Sequence, residues 1–475
     1  MRIYSSFLFL SILIFPALFC SLPSALARPN FVLVLTDDME VAPVGYMYRT
    51  KSLIRAQGAE FQRAYAASPL CAPARATILT GRYPQNTGVR RNSHKAYYEQ
   101  GNPARSLPVW LHGAGYRTAL IGKYMNGYPA PDTLPYIPPG WDVWSVRHRA
   151  QPDYDGQYNY WLNENGKSVY YGNRPEHYAT DVYRKKAVAF IRETVTQDAP
   201  FFLELAVHAP HTPFVPARRH ASQFPTARAP RPASFNEADV SDKPAYIRDL
   251  RRLDPAAVAT IDAGFRNRLR MLKAVDEAIK AIVDALATAG QLDNTYILFA
   301  SDHGWAMGPH RIPGAKAAPY EEVVRVPLFI RGPGIAAGLK LDHLVSSADI
   351  APTILELAGI PVPAEIDGRS LVPLLGTGRP APDMWRQTLG IGFQEGDDAF
   401  HVPTWQGIRT RRYTYVEYPG TGERELYDNL LDPHQTANIA VTADQALIAR
   451  FSERSRLLAA CAQTTCREAE DLPLP

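Results

Sequence analysis

Four apolar runs that each stop at a reactive side chain constrain the fold more than any other feature of this chain. "NFVLVLTDD" delivers Asp37 and Asp38, "YRTALIGKY" delivers Lys123, "FFLELAVHAPHTPF" delivers His208 and His211, and "TYILFASDHG" delivers Asp302 and His303. Helical patterns lie between such runs. The clearest runs from Asn267 to Gly290, with Leu272, Val275, Ile279, Ile282, Val283 and Leu286 on one face and Gly290 as a stop. Strands alternating with helices predict an α/β domain. In open α/β sheets ligands sit beyond the carboxyl ends of the strands, so these side chains are expected to converge.

Alone, each group has an ordinary role: an Asp pair after a strand caps a turn, and a loop His or Lys is solvated. Together, three carboxylates at strand ends suit a hard cation such as Ca²⁺ or Mg²⁺, which prefers oxygen ligands. His303 suits such an ion less well than an amide oxygen would, so the spacing leaves the metal open.

Compartment comes from the termini. Arg2, the apolar run from Phe7 to Phe19 and Ser24-Ala25-Leu26-Ala27 have the three parts of a secretory signal peptide, predicted over residues 1–27. The run is shorter than the roughly 20 residues of a membrane span, and no later segment is longer, so a secreted or periplasmic protein without stable membrane insertion is expected. Outside that segment three cysteines remain, Cys71, Cys461 and Cys466. Cys461 and Cys466 are expected to form a short-loop disulfide, which leaves Cys71 without a partner. A formal charge of +4 with no long basic run gives no case for nucleic acid.

The unpaired thiol lies in "SPLCAPARATILTGRYP". Pro73 fits the first turn of a helix ending near Thr80, with Gly81 beyond it. Cys71 would stand at the helix N-terminus, where free N–H groups favour an anion, and Arg75 one turn on would face the same way. The region from Phe214 to Pro255 reads as an irregular excursion. After about Pro380 short alternating segments such as "QGIRTRRYTYVEY" predict a smaller α+β domain, giving expected domains of 28–380 and 381–475.

Cys71-Ala72-Pro73-Ala74-Arg75 resembles the C-x-P-x-R signature of the sulfatases. "TDD", "IGKY", "APHTPF", "SDHG", "PYEE" and "RVPLFIRGPGI" follow in that family's order. The resemblance implies an alkaline-phosphatase-like α/β fold with a central, mostly parallel sheet flanked by helices. It implies oxidation of Cys71 to Cα-formylglycine by a maturation enzyme, and a divalent cation, Ca²⁺ first, held by Asp37, Asp38, residue 71, Asp302 and His303. Arg75 would stabilise the hydrate, Lys123 and Lys316 would bind sulfate oxygens, and His211 would contact sulfate or the leaving oxygen, with His208 structural. Met125 stands where many sulfatases have a histidine. That variant, with "PPGWDVW" and "YNYWLNENGK", resembles the N-acetylglucosamine-6-sulfatases and heparan endosulfatases, and makes Asn126 a candidate substrate contact; His310, in "GPHR", is another candidate, for substrate or the leaving group. The expected substrate is a sulfated carbohydrate, 6-O-sulfated N-acetylglucosamine first. Arylsulfate hydrolysis, phosphodiester or phosphonate hydrolysis on the same fold, and glycan binding by an unmodified Cys71 are the alternatives.

Overall fold

A computed structural model describes residues 28–129, 136–150, 155–197, 199–396 and 400–474. The signal-peptide expectation lies outside the described residues. Ten strands build the large sheet: β1 (Asn30–Thr36), β2 (Ala59–Tyr65), β3 (Arg117–Gly122), β4 (Val143–Ala150), β5 (Tyr160–Glu164), β6 (Lys167–Tyr171), β7 (Phe201–Ala206), β8 (Thr295–Ser301), β9 (Leu328–Arg331) and β10 (Leu339–Ser346). Their order is β10-β2-β9-β8-β1-β7-β3-β4-β5-β6.

The middle of this sheet, β8-β1-β7-β3-β4, is parallel throughout. β9 runs antiparallel to both its neighbours, and β5 and β6 extend the other side as antiparallel strands. The sheet is therefore mixed, with a parallel centre.

The central strands read as continuous apolar runs because both faces are covered. Phe31, Leu33, Leu35, Leu120 and Phe202 pack on one face with Ala72, Ala76 and Leu79 of the Cys71 helix. Val32, Val34, Ile121, Leu203 and Leu205 pack on the other, against helices Ala179–Thr194 and Pro255–Thr288. The second helix begins about three turns before the expected Asn267. Pro255 occupies its first position and the Asp254 side chain accepts from the Ala257 N–H at 2.8 Å, a start that the irregular composition upstream concealed.

Beyond the large sheet, β11 (Thr388–Phe393), β12 (Trp405–Thr410), β13 (Tyr413–Glu417) and β14 (Arg424–Asp428) form an antiparallel meander. Helix Gln445–Ala460 packs on it, and Cys461 is bonded to Cys466 as expected. No helix among the described residues is long and apolar enough to cross a membrane.

Candidate active site

Strands β8, β1, β7 and β3 are neighbours and parallel, so their carboxyl ends emerge together. Register pairs Thr36 with Ser301 and Ala206 with both Leu35 and Gly122. The next residues are Asp37 and Asp38, Lys123, Val207 and His208, and Asp302 and His303. Asp38 takes a left-handed backbone, φ 61°, and its N–H donates to Asp302 Oδ1 at 3.1 Å. That turn aims the two adjacent aspartates at different partners.

The Cys71 helix, Cys71–Thr80, ends at Gly81 with φ 66° and packs in the core on the same side of the sheet. Asn92 Oδ1 accepts from the Ala72 N–H at 3.0 Å, satisfying one free donor of the first turn. Cys71 is fully buried, 3.0 Å from Lys316 Nζ, 3.4 Å from His303 Nε2 and 3.7 Å from Asp37 Oδ1. Lys123 Nζ lies 2.9 and 2.7 Å from the two Asp37 oxygens. Lys316 Nζ lies 3.1 Å from Asp38 Oδ1 and 3.4 Å from His211 Nε2. Arg75 donates through Nε to Asp302 Oδ2 at 3.0 Å and through Nη1 to the Lys123 carbonyl at 3.2 Å. Nine expected residues thus meet in one cluster.

His208 is buried with Nδ1 3.3 Å from the Tyr183 hydroxyl, within reach of the charges of Asp37, Lys123 and Arg75. Asn126 is half-buried three residues beyond Lys123, and its carbonyl accepts from the His94 N–H at 2.7 Å. Among the described residues it makes no hydrogen bond to the Cys71 cluster. His310 is fully buried, its Nδ1 2.9 Å from Glu237 Oε2 and its ring stacked on Tyr320. Its Nδ1 bond to Glu237 and its stacking on Tyr320 are the contacts that hold the ring in place.

Charge explains the protonation pattern. Burial alone would raise the Asp37 carboxyl, but Lys123, with His211, Arg75 and Lys316 behind it, holds it well below the ordinary range. Burial is likewise overcome at Asp38 by Lys316, His211 and His303, which bring it down to about 2. At Asp302 burial wins, with Asp37 adding repulsion against His303 and Arg75, and the carboxyl rises to about 6. Burial would lower His303, but Asp302, Cys71 and Asp38 raise it to about 9. The Cys71 thiol, which burial would raise, is drawn well down by Lys123 and Lys316.

This donor set fits a divalent cation. Ligand atoms of Asp37, Asp38, Cys71 and His211 lie within 4.8 Å of one another, and so do those of Cys71, Asp302 and His303. Three buried carboxylates supply hard oxygen donors. The His303 Nδ1 faces its neighbour's carbonyl, Gly304 O, at 3.0 Å, which turns Nε2 toward Cys71 and Asp38. A carboxyl held up to about 6 beside Arg75 marks a place where more positive charge would be favourable.

Sequence reasoning missed two residues here. Arg268 is fully buried, donates to the Asp38 carbonyl at 2.5 Å and pairs with Glu40, supporting the Asp38 turn. Its signal was a charge on the apolar face of a helix, between Phe265 and Leu272. Glu204 is a buried carboxyl inside β7, where an apolar run is interrupted by one acid.

Residues 29–360 match the family model described as Sulfatase, and residues 314–459 match the one described as N-sulphoglucosamine sulphohydrolase, C-terminal. The chain is 33% identical over 481 residues to the N-acetylglucosamine-6-sulfatase of Homo sapiens, covering 93% of this chain and 86% of that protein. It is 36% identical over 373 residues to the extracellular sulfatase SULF-1 homologue of Drosophila melanogaster, covering 77% of this chain but spanning only a third (33%) of that protein's length. A protein solved with its substrate D-glucosamine-2-N,6-O-disulfate superposes with a TM-score of 0.76 at 27% identity, over 91% of this chain and 97% of the other.

Proposed function

Because the chain belongs to the sulfatase family, we propose that it is an exported enzyme that hydrolyses a sulfate ester of a carbohydrate, with 6-O-sulfated glucosamine units as its substrate class. The observation that supports this most is the ring around Cys71: a fully buried side chain with Lys316, His303, Asp37 and Asp38 about it, and Arg75 one helical turn on. The sugar assignment rests on the relatives' names and the bound disulfated glucosamine of the structural neighbour.

In this reading Cys71 is oxidised by a maturation enzyme to formylglycine, which hydrates to a geminal diol. The hydrate would supply one hydroxyl as the nucleophile for sulfur and a second whose ionisation would expel sulfate and restore the aldehyde. His211 or Lys316, 3.4 Å apart beside Asp38, gives the leaving alcohol its proton. Lys123 and Lys316 offset the charge of the sulfate oxygens, and Arg75 holds the diol end of the helix through its bonds to Asp302 and the Lys123 carbonyl. A divalent cation, calcium first, held by Asp37, Asp38, residue 71, Asp302 and His303, would supply Lewis acidity and lower the pKa of the attacking hydroxyl.

Two measurements test the reading. Mass spectrometry of the tryptic peptide Ala64 to Arg75 from the native host should show formylglycine in place of cysteine. The mature protein should release sulfate from glucosamine-6-sulfate with kcat/KM at least tenfold above that for an arylsulfate or a matched phosphonate ester. An unmodified Cys71 with retained glycan binding would instead make the protein a binder, and the reverse substrate ranking would sink the sugar assignment.

A further inference from the structure

Lys316 reaches Cys71 from a loop whose own backbone bridge, Ala306 with Ala315, stops one residue before it. The next residue, Ala317, is fully buried and left-handed, φ 74°, a conformation costly for any residue with a Cβ. Such a geometry persists only where neighbours enforce it. The enforcing neighbours come from the C-terminal part of the chain and from the segment before the Cys71 helix. Trp405, at the start of β12 and 1% exposed, donates its indole Nε1–H to the Ala317 carbonyl at 2.7 Å. The Ala317 N–H donates to the Pro69 carbonyl at 3.2 Å, on the segment that enters the Cys71 helix. Further along, the Tyr320 hydroxyl donates to Glu425 at 3.1 Å, the Glu321 N–H donates to the Gln435 side chain at 2.9 Å, and Arg409 donates to the Glu321 carboxylate at 2.8 Å.

We propose that Trp405 is a positioning residue for Lys316: its indole N–H holds Ala317 left-handed, and so fixes the ammonium beside residue 71. This rests on the sulfatase reading for its catalytic consequence, but its structural part does not. A buried indole N–H without an acceptor is disfavoured, and the Ala317 carbonyl is its acceptor here, so the bond locks both elements at once. The C-terminal meander thereby becomes part of the catalytic apparatus.

The test compares the mature parent with Trp405→Phe, which keeps an aromatic ring and removes the N–H. A second variant carries 3-benzothienylalanine at 405, which fills the indole's volume and lacks only the donor, so a failure of the first to fold leaves the question answerable. Each should show kcat for the parent's preferred sulfate ester at least tenfold lower, with little change in Tm. Adding Ala317→Gly should restore at least threefold of the lost kcat, because glycine adopts the left-handed conformation without enforcement. In a Lys316→Ala background the Trp405 substitution should cause no further loss. Hydrogen exchange of the segment containing Ala317 should accelerate in both Trp405 variants. Parent-like kcat, an equal loss without Lys316, or unchanged exchange would each overturn the proposal. A parent that releases no sulfate from any ester would refute the enzymatic reading instead, while the exchange measurement still decides whether Trp405 holds the loop.

Discussion

At the scale of single residues, the site's charges were legible but their environments were not. Asp37, Asp38, Asp302 and His303 announce themselves by ending apolar runs, whereas Glu204 and His310 could be weighed only once their surroundings were known. Glu204 sits inside β7, and burial, opposed only by Arg75, raises its carboxyl to about 7 from an ordinary value of 4.5. A carboxyl raised on folding resists ionisation in the native state. The penalty is absent below about 4.5, grows as pH rises, and is complete above about 7. Glu204→Gln should therefore be more stable than the parent at pH 8, by up to about 3 kcal/mol, and equal to it near pH 4.5. Urea unfolding across that range checks this, and a difference independent of pH would show that Glu204 is not the titrating group.

At the scale of elements, sequence reveals what periodicity repeats. The parallel strands β1, β3, β7 and β8 were visible because burial on both faces makes them uniformly apolar. The antiparallel extensions β5 and β6 were not, since "YNYWLNENGKSVYY" mixes aromatic and polar residues without a clean period. Nor does spacing reveal that β12 reaches back 88 positions to the Lys316 loop. One glycine shows how tightly the site depends on its strands. A Cβ on Gly122, whose φ is +123°, would lie 1.9 Å from the Ala206 carbonyl oxygen. Gly122→Ala must push β3 from β7 where Lys123 and His208 emerge. We expect a loss of at least about 2 kcal/mol in stability and at least tenfold in kcat/KM, whereas Gly113→Ala, with nothing within 4 Å of the new methyl group, should leave both unchanged. Parallel unfolding and turnover measurements on the two variants check it.

At the scale of the molecule, a buried ion cluster ties the last helix to the rest. Arg386 grips Asp349 through two bonds at 2.7 and 2.8 Å and reaches Glu470 at 2.7 Å, with Arg369 and Tyr83 on the same carboxylate. Arg386, Asp349 and Glu470 have no exposed surface. Removing Glu470 would leave the buried Arg386 Nε–H without its acceptor while Asp349 still holds the two Nη groups, so Glu470→Ala should cost about 1.5–3 kcal/mol, and Glu470→Gln less. Urea unfolding monitored by tryptophan fluorescence and by far-UV dichroism should give coincident transitions for the parent if the cluster couples the two sheets. The complete burial of Cys71 has a consequence in time rather than in space. No second protein can grasp a side chain that lies under Lys316 and His303 in the closed structure, so any conversion of that thiol has to happen while the chain is still open. On the proposed reading, a batch that folds before the thiol is converted is expected to stay unconverted, with no recovery when a maturation enzyme is added afterwards.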